Sequence, residues 1–176
     1  MASRRLFLFM IAPLALPAAI VTCAPVAVAE MLPKPSGDVI LTVSGQIGKE
    51  NAPGQADFDL DMLRAMPAVK FSTSTPWTEG TAEFEGVLMQ TLMDAVAAKG
   101  KVIKATALND YIADVDIKTT IEAGAILAYR MNGEYISVRD KGPLWIMFPF
   151  DEKPALKAEP IYSQSVWQLR NMTFID

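Results

Sequence analysis

From residue 39 onward, short stretches of period two alternate with stretches of period three to four, and glycine or proline separates many of them. Val39 to Gly45 is β-branched, closes on glycine and predicts a first strand. Lys49 to Gln55 is polar, with a turn at Pro53-Gly54. In Asp57 to Pro67, Leu60, Leu63 and Met66 share one face, Asp59 suits an N-cap and Pro67 is a stop, which predicts a short helix. Val69–Thr75 and Thr81–Val87 alternate as strands around the Glu79-Gly80 turn; Glu83 and Glu85 are expected on a wet face, Ala82 and Phe84 on a packed one. Leu88–Ala98 has a helical period, with Leu88, Leu92, Ala95 and Val96 inward and Met89 and Met93 as core filler before Gly100.

Lys101–Leu108 predicts a further strand, followed by the polar Asn109-Asp110-Tyr111. Asp116 can cap a helix over Ile117–Ala123 that ends at Gly124. Asn132-Gly133, the pair favoured in two-residue type I′ turns, predicts a hairpin of Ala125–Met131 with Glu134–Val138. Leu144–Phe148 is a continuous apolar run, expected as a buried strand. Asp151–Pro160 reads as a loop, Tyr162–Leu169 as a short helix and Asn171–Ile175 as the closing strand. The pattern is α+β, a β-rich mixed sheet with short helices, in one domain over residues 30–176 without internal repeats.

The first 29 residues follow a different logic. Arg4 and Arg5 precede a run, Leu6 to Cys23, that is apolar apart from Thr22, and Ala27-Val28-Ala29 supplies a small-x-small site ahead of Glu30. That is the anatomy of a cleaved secretory signal peptide, so a periplasmic protein is expected. Pro13, Pro17 and Pro25 argue against a stable membrane span after cleavage. Ser3-Arg4-Arg5-Leu6-Phe7-Leu8 also fits the twin-arginine pattern, but the short basic start and greasy core favour the general secretory route. Cys23 follows Thr22, a poor context for a lipoprotein anchor.

Composition then removes whole classes of chemistry. The sequence has one cysteine, which leaves with the leader, and no histidine. The mature domain therefore has no disulfide, thiol nucleophile or imidazole, and zinc, copper and haem sites of the usual kinds are not expected. The net charge is −4, and removal of Arg4 and Arg5 makes the remainder more acidic, which does not suit nucleic acid or an anionic surface. The groupings Asp57/Asp59/Asp61 and Asp110/Asp114/Asp116 lack EF-hand spacing and read as solvated faces or caps. No serine lies in a glycine-flanked elbow, and Lys141 sits in an exposed turn, so no catalytic residue and no metal ligand is assigned.

Ala107-Leu108-Asn109-Asp110-Tyr111, the Asn132-Gly133 hairpin, Gly142-Pro143-Leu144 to Pro149 and then Trp167 form an ordered set. Together they resemble the sulfite oxidase-type molybdopterin-binding domain, and more closely the small exported proteins with an oxidoreductase molybdopterin-binding domain. The resemblance covers Val39 to Ile175. It implies a ligand cleft among the loops at Thr73–Trp77, Asn109 and Arg139–Pro143. It also implies a cysteine thiolate on molybdenum at about Thr73–Trp77, where this chain offers Ser72-Thr73-Ser74-Thr75-Pro76-Trp77. Trp145 takes the place of an arginine after the Gly-Pro pair, Ser165-Val166-Trp167-Gln168 lacks the expected lysine, and the histidines around the pterin are absent.

The expectation is the fold without its molybdenum chemistry. Thr75, Trp77, Asn109, Asp110, Tyr111, Arg139, Lys141 and Gly142 form the candidate cleft rim. Tyr111 and Trp167 are further lining aromatics, Trp77 is the exposed ring fitted for stacking, and Trp145 is core. Arg139 is expected to pair with Asp110 or Asp140. The function expected is a periplasmic, non-catalytic domain, without cofactor, binding a small molecule or a periplasmic or membrane protein in a sensory or accessory role. The alternative is an exported molybdopterin-dependent oxidoreductase that retains its pterin without a cysteine ligand.

Overall fold

Short alternating strands, each with one apolar face, bury that face by pairing in sheets, and among the described residues they form two sheets of five strands each. The computed structural model describes residues 31–176; the leader, with Arg4, Arg5, Cys23 and the cleavage site, lies outside the described residues. In chain order the elements are β1 Leu41–Gly45, β2 Gln55–Phe58, α1 Leu60–Arg64, β3 Ala68–Ser74, β4 Thr81–Leu88, α2 Met89–Ala95 and β5 Val102–Ala107. There follow β6 Ile112–Asp116, α3 Ile117–Ala123, β7 Ile126–Met131, β8 Glu134–Tyr135, β9 Trp145–Met147, α4 Glu159–Tyr162 and β10 Leu169–Ile175.

One sheet has the order β2-β1-β10-β5-β6, with β1 parallel to β10. Its strands follow the period-two rule: Leu41 and Val43 of β1, Ile103, Ala105 and Ala107 of β5, and Met172 and Phe174 of β10 all point into the core. The second sheet runs β3-β4-β7-β8, with β9 added to β7. Here β7 and β9 are buried on both faces, Ile126 to Tyr129 and Trp145 to Met147, which is why their sequence runs apolar without alternation. Buried side chains of both sheets merge into one cluster that includes Phe58, Phe84, Trp145, Phe148, Phe150 and Phe174.

The local signals act as expected at the helix starts and the hairpin. Asp59 Oδ1 accepts from Met62 N at 2.8 Å and Asp116 Oδ1 from Thr119 N at 2.7 Å, each satisfying an otherwise orphaned helix amide. Asn132 (φ 52°) and Gly133 (φ 84°) both take the left-handed conformation that a type I′ turn requires.

Three expectations change. The helix expected over Tyr162–Leu169 lies earlier, at Glu159–Tyr162; Pro160 sits in its first turn, where a missing N–H costs nothing, and Gln168 at φ 50° ends the following turns. The segments Gln55–Phe58 and Ile112–Asp116 are strands too short and too polar to announce themselves, so Asp57 belongs to β2 rather than to the helix start. Glu85 is buried rather than wet. The register explains this, because it places Glu85 opposite Lys70 on one side and Arg130 on the other. Its carboxylate meets Lys70 Nζ at 2.9 Å and Arg130 Nη1 at 3.4 Å, and the Lys70 hydrogen bond holds its pKa below the usual range against the effect of burial.

Candidate functional site

The end of β3 is tied down before it reaches Trp77. Asp151 accepts from Ser74 N at 2.6 Å and from Ser74 Oγ at 2.7 Å, and also pairs with Lys157. Asp151 N in turn donates to Thr73 Oγ1 at 3.1 Å. Lys157, then the Ser74 hydroxyl and amide, bring the Asp151 carboxyl down to about 2. A depressed carboxylate contributes stability above its ordinary value of 3.8 and loses it as pH falls through about 2. Asp151→Asn should therefore flatten the acid limb of a urea-midpoint profile between about pH 4 and pH 2, more visibly at low salt because the pair is solvated.

Beyond Ser74 the chain turns on Thr75, whose Oγ1 accepts from Trp77 N at 3.1 Å and lies 2.9 Å from Thr78 Oγ1. This delivers Trp77 onto two other indoles, with ring centroids 5.9 Å from Trp145 and 5.3 Å from Trp167. Trp145 and Trp167 are themselves 6.2 Å apart, and Tyr162 meets Trp77 at 5.8 Å and Phe150 at 5.0 Å. Trp145 is fully buried, its Nε1 donating to Ser165 O at 3.2 Å, while Ser165 Oγ donates to Ile146 O at 2.7 Å. Those two bonds fasten the 163–168 segment to β9. Trp77 is thus half-buried in an aromatic cluster, not the free exposed ring expected; Tyr111, at 50% exposure, is the open one.

Trp77 lines two hollows. One, of about 390 Å³, is formed with Asn109, Tyr111, Glu159, Tyr162 and Trp167. The other, of about 340 Å³, is formed with Glu79, Met131, Arg139, Asp140 and Lys141. A third, about 480 Å³, lies against residues 31–53 and has no aromatic lining. The expected rim is therefore divided: Asn109 and Tyr111 on one side, Arg139 and Lys141 on the other, and Trp77 shared.

Three rim residues do not line either of the two hollows at Trp77. The Thr75 hydroxyl is used within its own turn, and Asp110, at φ 63°, gives its carboxylate to Arg170 Nη2 at 2.7 Å. Gly142 is buried under the Lys141 turn, where its N donates to Ser137 O at 2.7 Å. Because Asp110 holds Arg170 and Asp140 accepts from Ser137 Oγ at 2.7 Å, Arg139 has no carboxylate partner among the described residues, contrary to expectation. Lys141 Nζ lies 6.0 Å from the Trp145 ring centroid. Tyr162 and Glu159 are additions to the site. Pro160 between them was the available signal, since it places a helix start there.

Residues 41–150 match the model of the oxidoreductase molybdopterin binding domain. The chain belongs to that family. Among solved structures, the crystal structure of the sulfane dehydrogenase SoxCD from Paracoccus pantotrophus is similar, with a TM-score of 0.58 and 17% sequence identity. The similarity covers 77% of this chain but 38% of that one, so the chain spans well under half the length of this neighbour. No curated protein matches the chain in sequence. The fold is thus the sulfite oxidase-type molybdopterin-binding one, α+β with mixed sheets and few short helices.

The residues present do not fit a thiolate-bound molybdenum. Residues 31–176 contain neither cysteine nor histidine, and no group of three metal-binding side chains occurs among the described residues. Of the hydroxyls that stand in the thiolate's segment, three are already engaged, Thr73 with Asp151 N, Ser74 with Asp151 and Thr75 with Thr78, while Ser72 faces solvent. A neutral hydroxyl is a poor substitute for a soft thiolate donor near neutral pH.

Proposed function

We propose that this chain is an exported, periplasmic, non-catalytic member of its family that binds a small organic ligand in the aromatic hollow beside Trp77, in a sensory or accessory role. The observation that carries this reading is the pairing of two features at one place. The segment that would supply a thiolate offers only hydroxyls, those of Thr73, Ser74 and Thr75 already engaged, while the adjoining hollow is lined by Trp77, Tyr111, Tyr162 and Trp167. Its volume of about 390 Å³ lies in the range of small-molecule sites, and a few polar groups among aromatic walls are the usual means of fixing such a ligand. A concave, aromatic-walled hollow favours a small molecule over a protein partner. The signal-like leader supports the export.

Native mass spectrometry of the chain purified from its own periplasm tests this directly. A retained small molecule is the expected result. Tyr111→Ala, at a half-exposed position with little structural cost, should weaken its capture about tenfold in equilibrium dialysis. An empty chain, with Tyr111→Ala behaving as the parent toward every compound tried, contradicts the reading.

A further inference from the structure

The lining narrows the ligand class, an inference that rests on the proposal above. Four aromatic side chains, Trp77, Tyr111, Tyr162 and Trp167, share the hollow with one acid, Glu159, and with no lysine or arginine. Glu159 is exposed, and its carboxylate has no hydrogen bond or ion pair among the described residues. Arg170, which reaches the adjoining Asn109–Tyr111 turn, is neutralised by Asp110 at 2.7 Å. Tyr162 and Trp167 meet Trp77 at interplanar angles of 84° and 66°, so the rings make a corner rather than a flat stack. An aromatic corner with an unpaired carboxylate and no basic side chain suits a positive charge wherever a ring face is presented, because ring faces carry the negative lobe of the quadrupole. A phosphorylated pterin would meet no cation in this lining.

We infer that the hollow takes a compact organic cation of the quaternary or methylated ammonium class, its charge held against the aromatic rings and the Glu159 carboxylate. A neutral ring or sugar would use the same walls but leave Glu159 unpaired and show no preference for positive charge.

The test is an isothermal calorimetric titration of the purified mature chain with three compounds: choline, its neutral tert-butyl isostere 3,3-dimethylbutanol, and indole as an uncharged planar ring. Choline should bind about tenfold or more tighter than the isostere, and Glu159→Gln should shrink that ratio several-fold while leaving the isostere's affinity unchanged. Equal affinity for choline and the isostere overturns the cation assignment. Binding of indole or the isostere without choline overturns it too, but leaves a small-ligand site in place. No response to any of the three, from a chain that also retains nothing on native mass spectrometry, removes both the inference and the reading beneath it.

Discussion

Trp145→Ala is expected to destabilise the protein by about 3–5 kcal/mol, read as a shift of the urea midpoint at unchanged slope. The residue is fully buried, and its ring touches Phe84 at 5.6 Å, Trp77 at 5.9 Å and Trp167 at 6.2 Å. Truncation leaves a cavity at the point where β9, the 75–77 turn and the 163–168 segment meet. It also strands Ser165 O, which loses the Nε1 donor at 3.2 Å. Trp145→Phe restores most of the volume but not that donor, so a smaller loss of about 1–2 kcal/mol is expected. Because Trp77 and Trp167 lean on this ring, the alanine variant should also lose any ligand bound in the hollow. Should Trp145→Ala cost no more than an ordinary surface change, the aromatic cluster does not organise the site.

Gly142→Ala is the second large effect. A Cβ at this position would lie 1.8 Å from Ile136 O and 2.8 Å from Ser137 O, both backbone atoms that cannot rotate away. The Ser137–Gly142 turn must open, losing the Gly142 N to Ser137 O hydrogen bond of 2.7 Å, and a cost of about 2–4 kcal/mol is expected. The turn carries Arg139 and Lys141, and Lys141 O accepts from Gln168 N at 2.9 Å, so the damage should spread to the segment beside Trp167. Gly133→Ala is the informative contrast. Its Cβ would meet nothing within 4 Å, so only the left-handed backbone at φ 84° is strained, worth about 1 kcal/mol. Similar losses for the two variants would contradict the close approach at Gly142.

The parts of this protein that local chemistry dictates were readable from residues alone. Asp59 and Asp116 cap helices because a carboxylate placed before an apolar-periodic segment has an amide to satisfy. Asn132-Gly133 turns because few pairs tolerate two positive φ values. The Leu144–Phe148 run is buried because an unbroken apolar strand has no wet face to show.

What depended on register or on distant partners was not readable. Glu85 alternates like a solvent residue, and only the pairing of β3, β4 and β7 sets it between two cations. Arg139 and Asp110 are drawn together by the pattern, yet the alignment of β10 with β5 brings Arg170 to Asp110 instead. The site followed the same division. Trp77, Asn109 and Tyr111 were legible as one wall of a hollow, whereas Tyr162 and Glu159 reach it through a helix one turn earlier than their sequence suggested. Thr75, Asp110 and Gly142 were chosen by position in a family pattern, and each serves a turn or an ion pair rather than the hollow's surface.

The most direct measurement is the molybdenum content of the chain purified from its native host, taken by elemental mass spectrometry together with fluorescence of any released pterin. With no thiolate or imidazole in residues 31–176 and every hydroxyl of the 73–75 segment engaged, molybdenum far below one atom per chain and no pterin signal are expected. One molybdenum atom per chain with its pterin would contradict that expectation.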